Sequence, residues 1–124
     1  MSDRGEHPAV RGCVAVAVVE GSDLSAAVGA HFGRSPRFLL VRDRPERTVR
    51  TIENTSVGAT QGAGPATASL LMRHGVTAAL AGQFGPKAED ALRAGGIRPV
   101  TVAPGTKTEE ALTHLPPEML EEIG

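Results

Sequence analysis

Residues 13–19, CVAVAVV, form an unbroken apolar run in which four of the seven residues are valine. A run this short, rich in β-branched side chains and without a polar face, is typical of a strand that is buried on both faces. Such a strand needs cover above and below its sheet, which a layered α/β domain supplies. The run therefore favours folds with a covered central strand, and the other segments must provide the cover.

Four further segments have the composition of strands. Residues 37–43 (RFLLVRD) and 48–54 (TVRTIEN) flank the short connection RPER and predict an antiparallel β-hairpin. Residues 76–82 (VTAALAG) and 97–103 (IRPVTVA) are apolar and follow helical patterns in the chain. Strand and helix thus alternate in the second half, which predicts parallel crossover connections.

Three segments carry helix signals. Pro65 can occupy the first position of a helix that Gly75 would end, and Gly-Pro at 85–86 begins a second helix. Thr106 and Glu109 have the spacing of a capping box, which predicts the start of a third helix. Together the elements predict an α/β fold, a three-layer α/β/α sandwich around a mixed five-stranded sheet with one antiparallel strand.

The chain of 124 residues has the size of one domain. Residues 1–11 are polar and punctuated by proline and glycine, so they predict a disordered N-terminal tail. The folded domain is expected to span residues 12–115. Residues 116–124 (PPEMLEEIG) are expected to form a short helix or a tail.

Charge and composition exclude several classes of protein. The formal net charge is −1, from 13 basic and 14 acidic residues, and 2% of the residues are aromatic, so a nucleic-acid surface is not expected. One cysteine cannot form an internal disulfide or a four-cysteine metal site. No apolar run reaches the roughly 18 residues of a membrane span. The N-terminus also lacks the apolar region of a signal peptide, so a cytoplasmic protein is predicted.

Four connections rich in Gly, Ser, Thr or Gln are predicted to leave the carboxyl ends of strands, namely 20–36, 55–64, 82–85 and 103–106. Ligands of open α/β sheets bind at that edge. The last three connections lead into helix N-termini, whose free N–H groups and dipole favour anions. The loops therefore predict one shared anion-binding pocket; the alternative is that their glycines and prolines only make turns and caps.

Within the first of these loops, His31 and Arg34 are the candidate functional side chains. An imidazole can transfer a proton or bind a borderline metal, and a guanidinium can hold an oxyanion. The alternatives are a histidine packed in a turn and an arginine that braces the loop. Phe32 and Phe84 are expected to be hydrophobic anchors. Cys13 is expected to be a small buried hydrophobe, the alternative being a thiolate that shares a metal with His31.

The sequence contains no GxSxG, Walker A, HExxH or CxxC motif, and its carboxylates form no evident cluster. A non-enzymatic protein is therefore predicted. An enzyme such as a phosphohydrolase would need a base or a set of metal ligands that the sequence does not offer.

Three segments of the chain resemble the dinitrogenase iron–molybdenum cofactor biosynthesis domain: HFGRSPRF, ENTSVGATQGAGPATASLLMRHGVTAALAGQFGPKAEDALRAGGIRPV and GTKTEEAL. This is the NifX- and NafY-like module that is also found at the carboxyl end of NifB. The resemblance extends from about Gly12 to about Leu115. It implies a ribonuclease-H-like fold with strand order 3-2-1-4-5 and strand 2 antiparallel. It also implies a protein that binds or carries iron–sulfur or molybdenum-containing cofactor precursors during nitrogenase maturation.

The resemblance further implies that His31 holds an anionic cluster and that Arg34 offsets its charge. Many relatives carry extra histidines or a cysteine in the loop after the third strand, whereas the loop here, TSVGATQGAGP, has none. A bound cluster would thus need ligands from a second subunit, a partner or its own sulfides. The predicted cofactor-binding residues are His31, Phe32, Gly33, Arg34, Gly62, Gly64, Gly82 and Gly85, with His31 also the metal ligand.

Two functions remain open at this point. The first is a non-enzymatic carrier or accessory protein for an iron–sulfur or iron–molybdenum cofactor precursor, with cluster donor and acceptor proteins as partners. The alternative is a metal-free binding module for a small anion or a phosphate-bearing metabolite. A monomer or weak homodimer is expected, without a nucleic-acid or membrane partner.

Overall fold

The computed structural model of the chain describes residues 9–55 and 63–121. Within these ranges, strands and helices alternate after a first β-hairpin. The strands are β1 Ala9–Val10, β2 Cys13–Val18, β3 Arg37–Arg42, β4 Thr48–Glu53, β5 Ala78–Ala81, β6 Arg98–Thr101 and β7 Leu120–Glu121; the helices are α1 Ala63–Arg73, α2 Pro86–Ala94 and α3 Thr108–Ala111; the 3-10 turns are Leu112–His114 and Pro117–Met119.

Five of the strands form one mixed sheet in the order β4-β3-β2-β5-β6. β2 runs parallel to β5, and β5 runs parallel to β6. β3 runs antiparallel to both of its neighbours, β2 and β4. The predicted five-stranded mixed sheet is thereby confirmed, and β2 lies at its centre.

The central position of β2 accounts for its unbroken apolar sequence. All six of its residues are buried. Because side chains alternate between the two faces of a strand, the valines of β2 enter one core, whereas Cys13, Ala15 and Ala17 enter the other. The small side chains on that second face let a helical layer pack close to the sheet.

The two faces of the sheet have different covers. α1 and α2 lie on the face of Cys13, where Leu71 and Leu92 are fully buried. The opposite face is covered by α3, the following 3-10 turn and the loop after β2, where Val28 and Leu112 are buried. Both faces are thus covered, and in the described ranges the α-helix on the second face, α3, has four residues.

The two ends of the described chain meet in a separate two-stranded ribbon, in which β1 pairs antiparallel with β7. The Val10 N–H donates to Asp43 Oδ2 at 2.6 Å, and Arg47 Nη2 donates to the same oxygen at 2.8 Å. Arg44 forms an ion pair with Glu121. These contacts fasten the ribbon to the end of β3, at the edge of the sheet where the parallel strands begin.

The ribbon corrects predictions at both ends of the chain. Residues 9–11 belong to the fold and not to a disordered tail, because β1 pairs with β7 and the Arg11 N–H donates to the Met119 oxygen at 2.8 Å. The predicted short helix is present only as the 3-10 turn Pro117–Met119, which continues into β7 instead of a free tail because β1 supplies backbone partners. The rest of the predicted N-terminal tail lies outside the described residues, as do the last three residues of the chain.

Two helices begin differently from the predictions. α1 begins at Ala63, and Pro65 is tolerated inside it because the first N–H groups of a helix have no intrahelical partner. α3 begins at Thr108 without a side-chain cap, so the predicted capping box is absent. The Thr108 hydroxyl donates instead to the Ala26 oxygen at 2.8 Å. A contact with a distant loop therefore sets the start of α3.

The longest helix in the described ranges, α1, has 11 residues. Among residues 9–55 and 63–121, no helix is long and apolar enough to cross a membrane.

Candidate anion-binding site at the carboxyl edge of the sheet

The loop between β2 and β3 lies across the carboxyl ends of β2 and β5. The Gly29 N–H donates to the Ala17 oxygen at 2.7 Å, and the Gly29 oxygen accepts the Gly82 N–H at 2.9 Å. Further along, the Phe32 N–H donates to the Gln83 oxygen at 3.0 Å. The loops after β2 and β5 therefore meet, as the sequence predicts, and backbone hydrogen bonds fix their contact.

The loop between β6 and α3 joins the same edge. The Val28 N–H donates to the Thr106 oxygen at 2.8 Å, and the Gly105 N–H donates to the Val28 oxygen at 2.9 Å. The Thr108 N–H and hydroxyl both donate to the Ala26 oxygen at 2.8 Å. The loop after β2 is thus held from two sides.

The same loop touches the start of α1. A Cβ placed on Gly33 would lie 3.4 Å from the Gly64 Cα, and one placed on Gly64 would lie 2.7 Å from the Ala88 Cβ. Gly33 and Gly64 therefore allow the loop, α1 and α2 to pack almost backbone against backbone. The predicted site residue Gly62 lies outside the described residues.

The two predicted binding glycines after β5 have different surroundings. A Cβ on Gly82 would lie 2.7 Å from Pro104 Cγ and 2.9 Å from the Ala30 oxygen. Since its N–H is bonded to Gly29, Gly82 is a packing residue and offers no donor to a ligand. Gly85 is exposed and caps α2 without a side-chain hydrogen bond. Pro86 has no N–H, and the Glu89 N–H donates to the Gly85 oxygen at 2.9 Å, so Lys87 and Ala88 carry the first-turn N–H groups of α2 that have no intrahelical partner.

His31 and Arg34 have exposed side chains, and Phe32 between them is buried. The Phe32 ring is 1% exposed. Its centroid lies 5.4 Å from that of Phe38 and 5.2 Å from that of Phe84. The Phe32 ring thus belongs to the core and its N–H is bonded to the Gln83 oxygen, so neither group is open to a ligand at the surface. Its predicted role as an anchor agrees with the structure, and this anchor holds its two polar neighbours at the surface.

A cluster of three buried polar side chains lies beneath the loop and was not predicted from the sequence. Ser35, Asn54 and Thr67 are each no more than 3% exposed. Ser35 Oγ lies 2.9 Å from the Val18 oxygen, to which it donates. Asn54 Nδ2 donates to the Ser35 oxygen at 2.8 Å, and the Thr67 hydroxyl donates to Asn54 Oδ1 at 3.3 Å. The network connects the loop, the end of β4 and α1, and no local sequence pattern marks it.

Cys13 lies far from this edge. It is the first residue of β2, is fully buried and lies opposite Arg42 of β3. Burial raises the pKa of the Cys13 thiol, and the charges of Arg42 and Arg50 oppose that shift only in part. Its prediction as a buried hydrophobe agrees with the structure. A metal shared with His31 is excluded, because His31 lies in the loop at the other end of β2.

Within the described parts of the chain, no group of three or more His, Cys, Asp and Glu side chains is placed to hold a metal ion. The available donors are one imidazole, one guanidinium and the N–H groups at the start of α2. A set of this kind can contact the outer surface of an anionic group. It does not fit a metal ion enclosed by protein ligands, which takes four.

Fold and site together define a small α/β domain whose exposed polar loop stands at the carboxyl edge of a mixed sheet. The chain matches the family described as dinitrogenase iron-molybdenum cofactor over residues 12–116. Because this match covers most of the chain, the protein belongs to that family, and the family predicted from the sequence is confirmed. The family is one of accessory domains in cofactor biosynthesis.

Solved structures with sequence similarity have the same fold. The apo form of the orange protein (ORP) from Desulfovibrio gigas is 27% identical over 92% of this chain and 94% of that chain, with a TM-score of 0.78. TM1290 from Thermotoga, solved by NMR and provisionally assigned as a NifB protein of the DUF35 family, is 31% identical over 90% of this chain and 92% of that chain, with a TM-score of 0.70. A comparison with curated proteins gave no match.

Proposed function

We propose that this protein is a non-enzymatic carrier or accessory protein whose cargo is an iron–sulfur or iron–molybdenum cofactor precursor. The observation that carries the proposal is the exposure of His31 and Arg34 on a loop that backbone hydrogen bonds and the Phe32 anchor hold in place. Family membership supports this cargo class.

We also assign the fold to the ribonuclease-H-like three-layer sandwiches, with α3 and its neighbouring turns as a reduced third layer.

Each group at the edge has a role in holding such a cargo. The imidazole of His31 is a ligand for iron or molybdenum at the cluster surface. Arg34 offsets the negative charge of the cluster. The N–H groups of Lys87 and Ala88, in the first turn of α2, donate to its anionic sulfides. The remaining metal ligands come from the cluster's own sulfides, a second subunit or a partner.

A single protein ligand suits transfer better than storage, because few bonds must break when the cargo leaves. In this role the protein takes a cluster precursor from a donor protein and delivers it to an acceptor, in the cytoplasm, as a monomer or weak homodimer. It performs no chemistry on the cargo.

A second candidate function is a metal-free binding module for a small anion or a phosphate-bearing metabolite. The observation that favours it is that, among residues 9–55 and 63–121, no group of three or more His, Cys, Asp and Glu side chains could hold a metal ion. Arg34 and the helix N–H groups alone would then hold the anion.

The test is anaerobic reconstitution with ferrous iron, sulfide and molybdate, followed by metal analysis and absorption spectroscopy. The chain has no Trp or Tyr, so cluster bands are easily seen. We expect stoichiometric metal in the wild type and binding at least about tenfold weaker in His31→Ala, equal to ~1.4 kcal/mol. His114→Ala, at an exposed histidine outside this edge, is the matched control and should bind normally.

A wild-type protein that stays colourless and free of metal would contradict the carrier role. If that protein still bound phosphate or molybdate through Arg34, the metal-free module would be the better description.

A further inference from the structure

We infer that Asn54 is a positioning residue of the proposed cluster site, an inference that rests on the proposed function. Asn54 follows β4 directly and is 3% exposed. Its role is to fix the loop that carries His31 and Arg34 relative to α1, and it does so without reaching the surface where the cargo would bind.

Asn54 bonds to the loop through two of its groups. Its N–H donates to the Pro36 oxygen at 2.8 Å, and its Nδ2 donates to the Ser35 oxygen at 2.8 Å. Ser35 in turn lies within 2.9 Å of the Val18 oxygen and 3.0 Å of the Arg37 oxygen, through its Oγ. The end of the loop is thereby attached to both β2 and β3.

The side-chain oxygen of Asn54 bonds to a residue of α1. Its Oδ1 accepts the hydroxyl of Thr67, a residue with no exposed surface. α1 begins four residues before Thr67. At its start, Gly64 packs against Gly33 of the loop, so the loop and α1 are in close contact there as well. A shift of either one changes the position of His31 and Arg34 relative to the helix.

A polar network is a costly way to fill this space unless its geometry is needed. Buried polar groups are destabilising when unpaired, and apolar groups of the same shape can replace a bonded pair at nearly equal stability. Hydrogen bonds are directional, however, so a fully bonded network holds its members in one arrangement. Ser35, Asn54 and Thr67 therefore fit a role in positioning the loop better than a role in stabilising the fold.

The experiment separates an effect on the position of the loop from an effect on the stability of the whole protein. Thr67→Val removes the donor to Asn54 and keeps the side-chain shape, and a double variant, Asn54→Leu with Thr67→Val, replaces both partners by apolar groups. Thr77→Val is the matched control, since Thr77 is a partly buried threonine that donates to the Cys13 oxygen at 3.2 Å, at the other edge of the sheet. Each protein is measured for amide hydrogen exchange of residues 31–35, with Val16 as the reference for global opening, and for affinity in the iron, sulfide and molybdate reconstitution.

In both Asn54-network variants we expect exchange in residues 31–35 to be about tenfold faster relative to Val16, and cluster binding to be about tenfold weaker. The double variant should show these losses even if its unfolding free energy returns to the wild-type value. In Thr77→Val, loop exchange and binding should stay within about twofold of wild type.

The inference would be overturned if, in both network variants, the exchange rate of residues 31–35 relative to that of Val16 stayed at the wild-type value, whatever happened to their stability. Because hydrogen exchange needs no ligand, this outcome is measurable even if the wild-type protein fails to bind a cluster. Failure of the proposed function and failure of the positioning role are therefore distinguishable.

Discussion

Gly82 and Gly85 lie in the same loop after β5, but the space around them differs. A Cβ on Gly82 would meet atoms of Pro104 and Ala30 at less than 3 Å (2.7 and 2.9 Å), whereas nothing lies within 4 Å of one on Gly85. The sequence predicts both as glycines of a binding loop, because neighbours in space cannot be inferred from neighbours in the chain. Gly82 is needed for packing, and Gly85 stands at an open helix start.

Gly82→Ala should therefore destabilise the protein by about 1–3 kcal/mol, since Pro104 or the backbone at Ala30 must move to make room. Gly85→Ala is the matched control. Gly85 has a φ of −71° that alanine adopts easily, so its stability should change by less than about 0.5 kcal/mol. Urea unfolding followed by circular dichroism measures both, and equal losses in the two variants would contradict the packing role of Gly82.

The thiol of Cys13 offers a second test at this scale. Because burial raises its pKa and removes its exposed surface, we expect iodoacetamide to modify Cys13 only after unfolding. Cys13→Ala should also keep the full metal content in reconstitution, since Cys13 begins β2 and the His31 loop follows its end. Rapid alkylation of the native protein, or loss of metal in Cys13→Ala, would show that the thiol is accessible or takes part in binding.

At the scale of elements, local patterns predict the strands and helices well because each has a local cause. The apolar run becomes β2, and α2 begins at Pro86 as the Gly-Pro signal indicates. The predictions fail where a distant partner decides the structure. Thr108 bonds to Ala26, 82 positions away, and β7 pairs with β1 from the other end of the described chain.

The candidate site shows the same limit. His31 and Arg34 could be selected from the sequence because their residue types carry chemistry. Asn54 could not, since its partners Ser35 and Thr67 lie 19 and 13 positions away and no periodic pattern links them. Only the folded chain brings these three side chains together.

The ribbon of β1 and β7 is expected to contribute to stability despite its length. Val10 is 1% exposed, so Val10→Ala removes buried apolar surface and should cost about 2 kcal/mol. Val19→Ala is the matched control, because Val19 is 62% exposed and its truncation should cost less than about 0.5 kcal/mol. Thermal and urea unfolding compare the two, and similar stabilities would mean that the ribbon is not coupled to the core.

Across the whole molecule, the two edges of the sheet use polar residues differently. At the carboxyl edge, His31 and Arg34 are exposed. At the amino edge, Asp43 is buried and bonded to Val10 and Arg47. The first arrangement leaves charge available to a ligand, and the second uses charge to close the fold.

This second arrangement predicts how the protein responds to acid. Burial alone would raise the pKa of Asp43, but hydrogen bonds from Arg47 and the Val10 N–H, with the charges of Arg47 and Arg44, outweigh it and lower that pKa. Because the pKa is depressed in the folded state, the stabilisation is complete above the ordinary carboxyl value of about 3.9. It is lost as the pH falls through the lower, folded-state pKa.

Asp43→Asn should thus lower the unfolding free energy at pH 7 by about 2–3 kcal/mol. It should also flatten the loss of stability below about pH 4. Urea unfolding at a series of pH values from 7 to below 3 gives both quantities. Parallel pH profiles in the wild type and the variant would mean that Asp43 is not a source of the acid sensitivity.

The pairing of Ala9 with Glu121 also determines where a fusion partner or a label can be attached to the domain. Ala9 and Glu121 are neighbouring points at the amino edge of the sheet, on the far side from the His31 loop. A dye, a surface anchor or a second domain attached at either of these residues would therefore leave the His31 loop uncovered. A circular permutant that joins Ala9 to Glu121 would need only a short linker between these two residues.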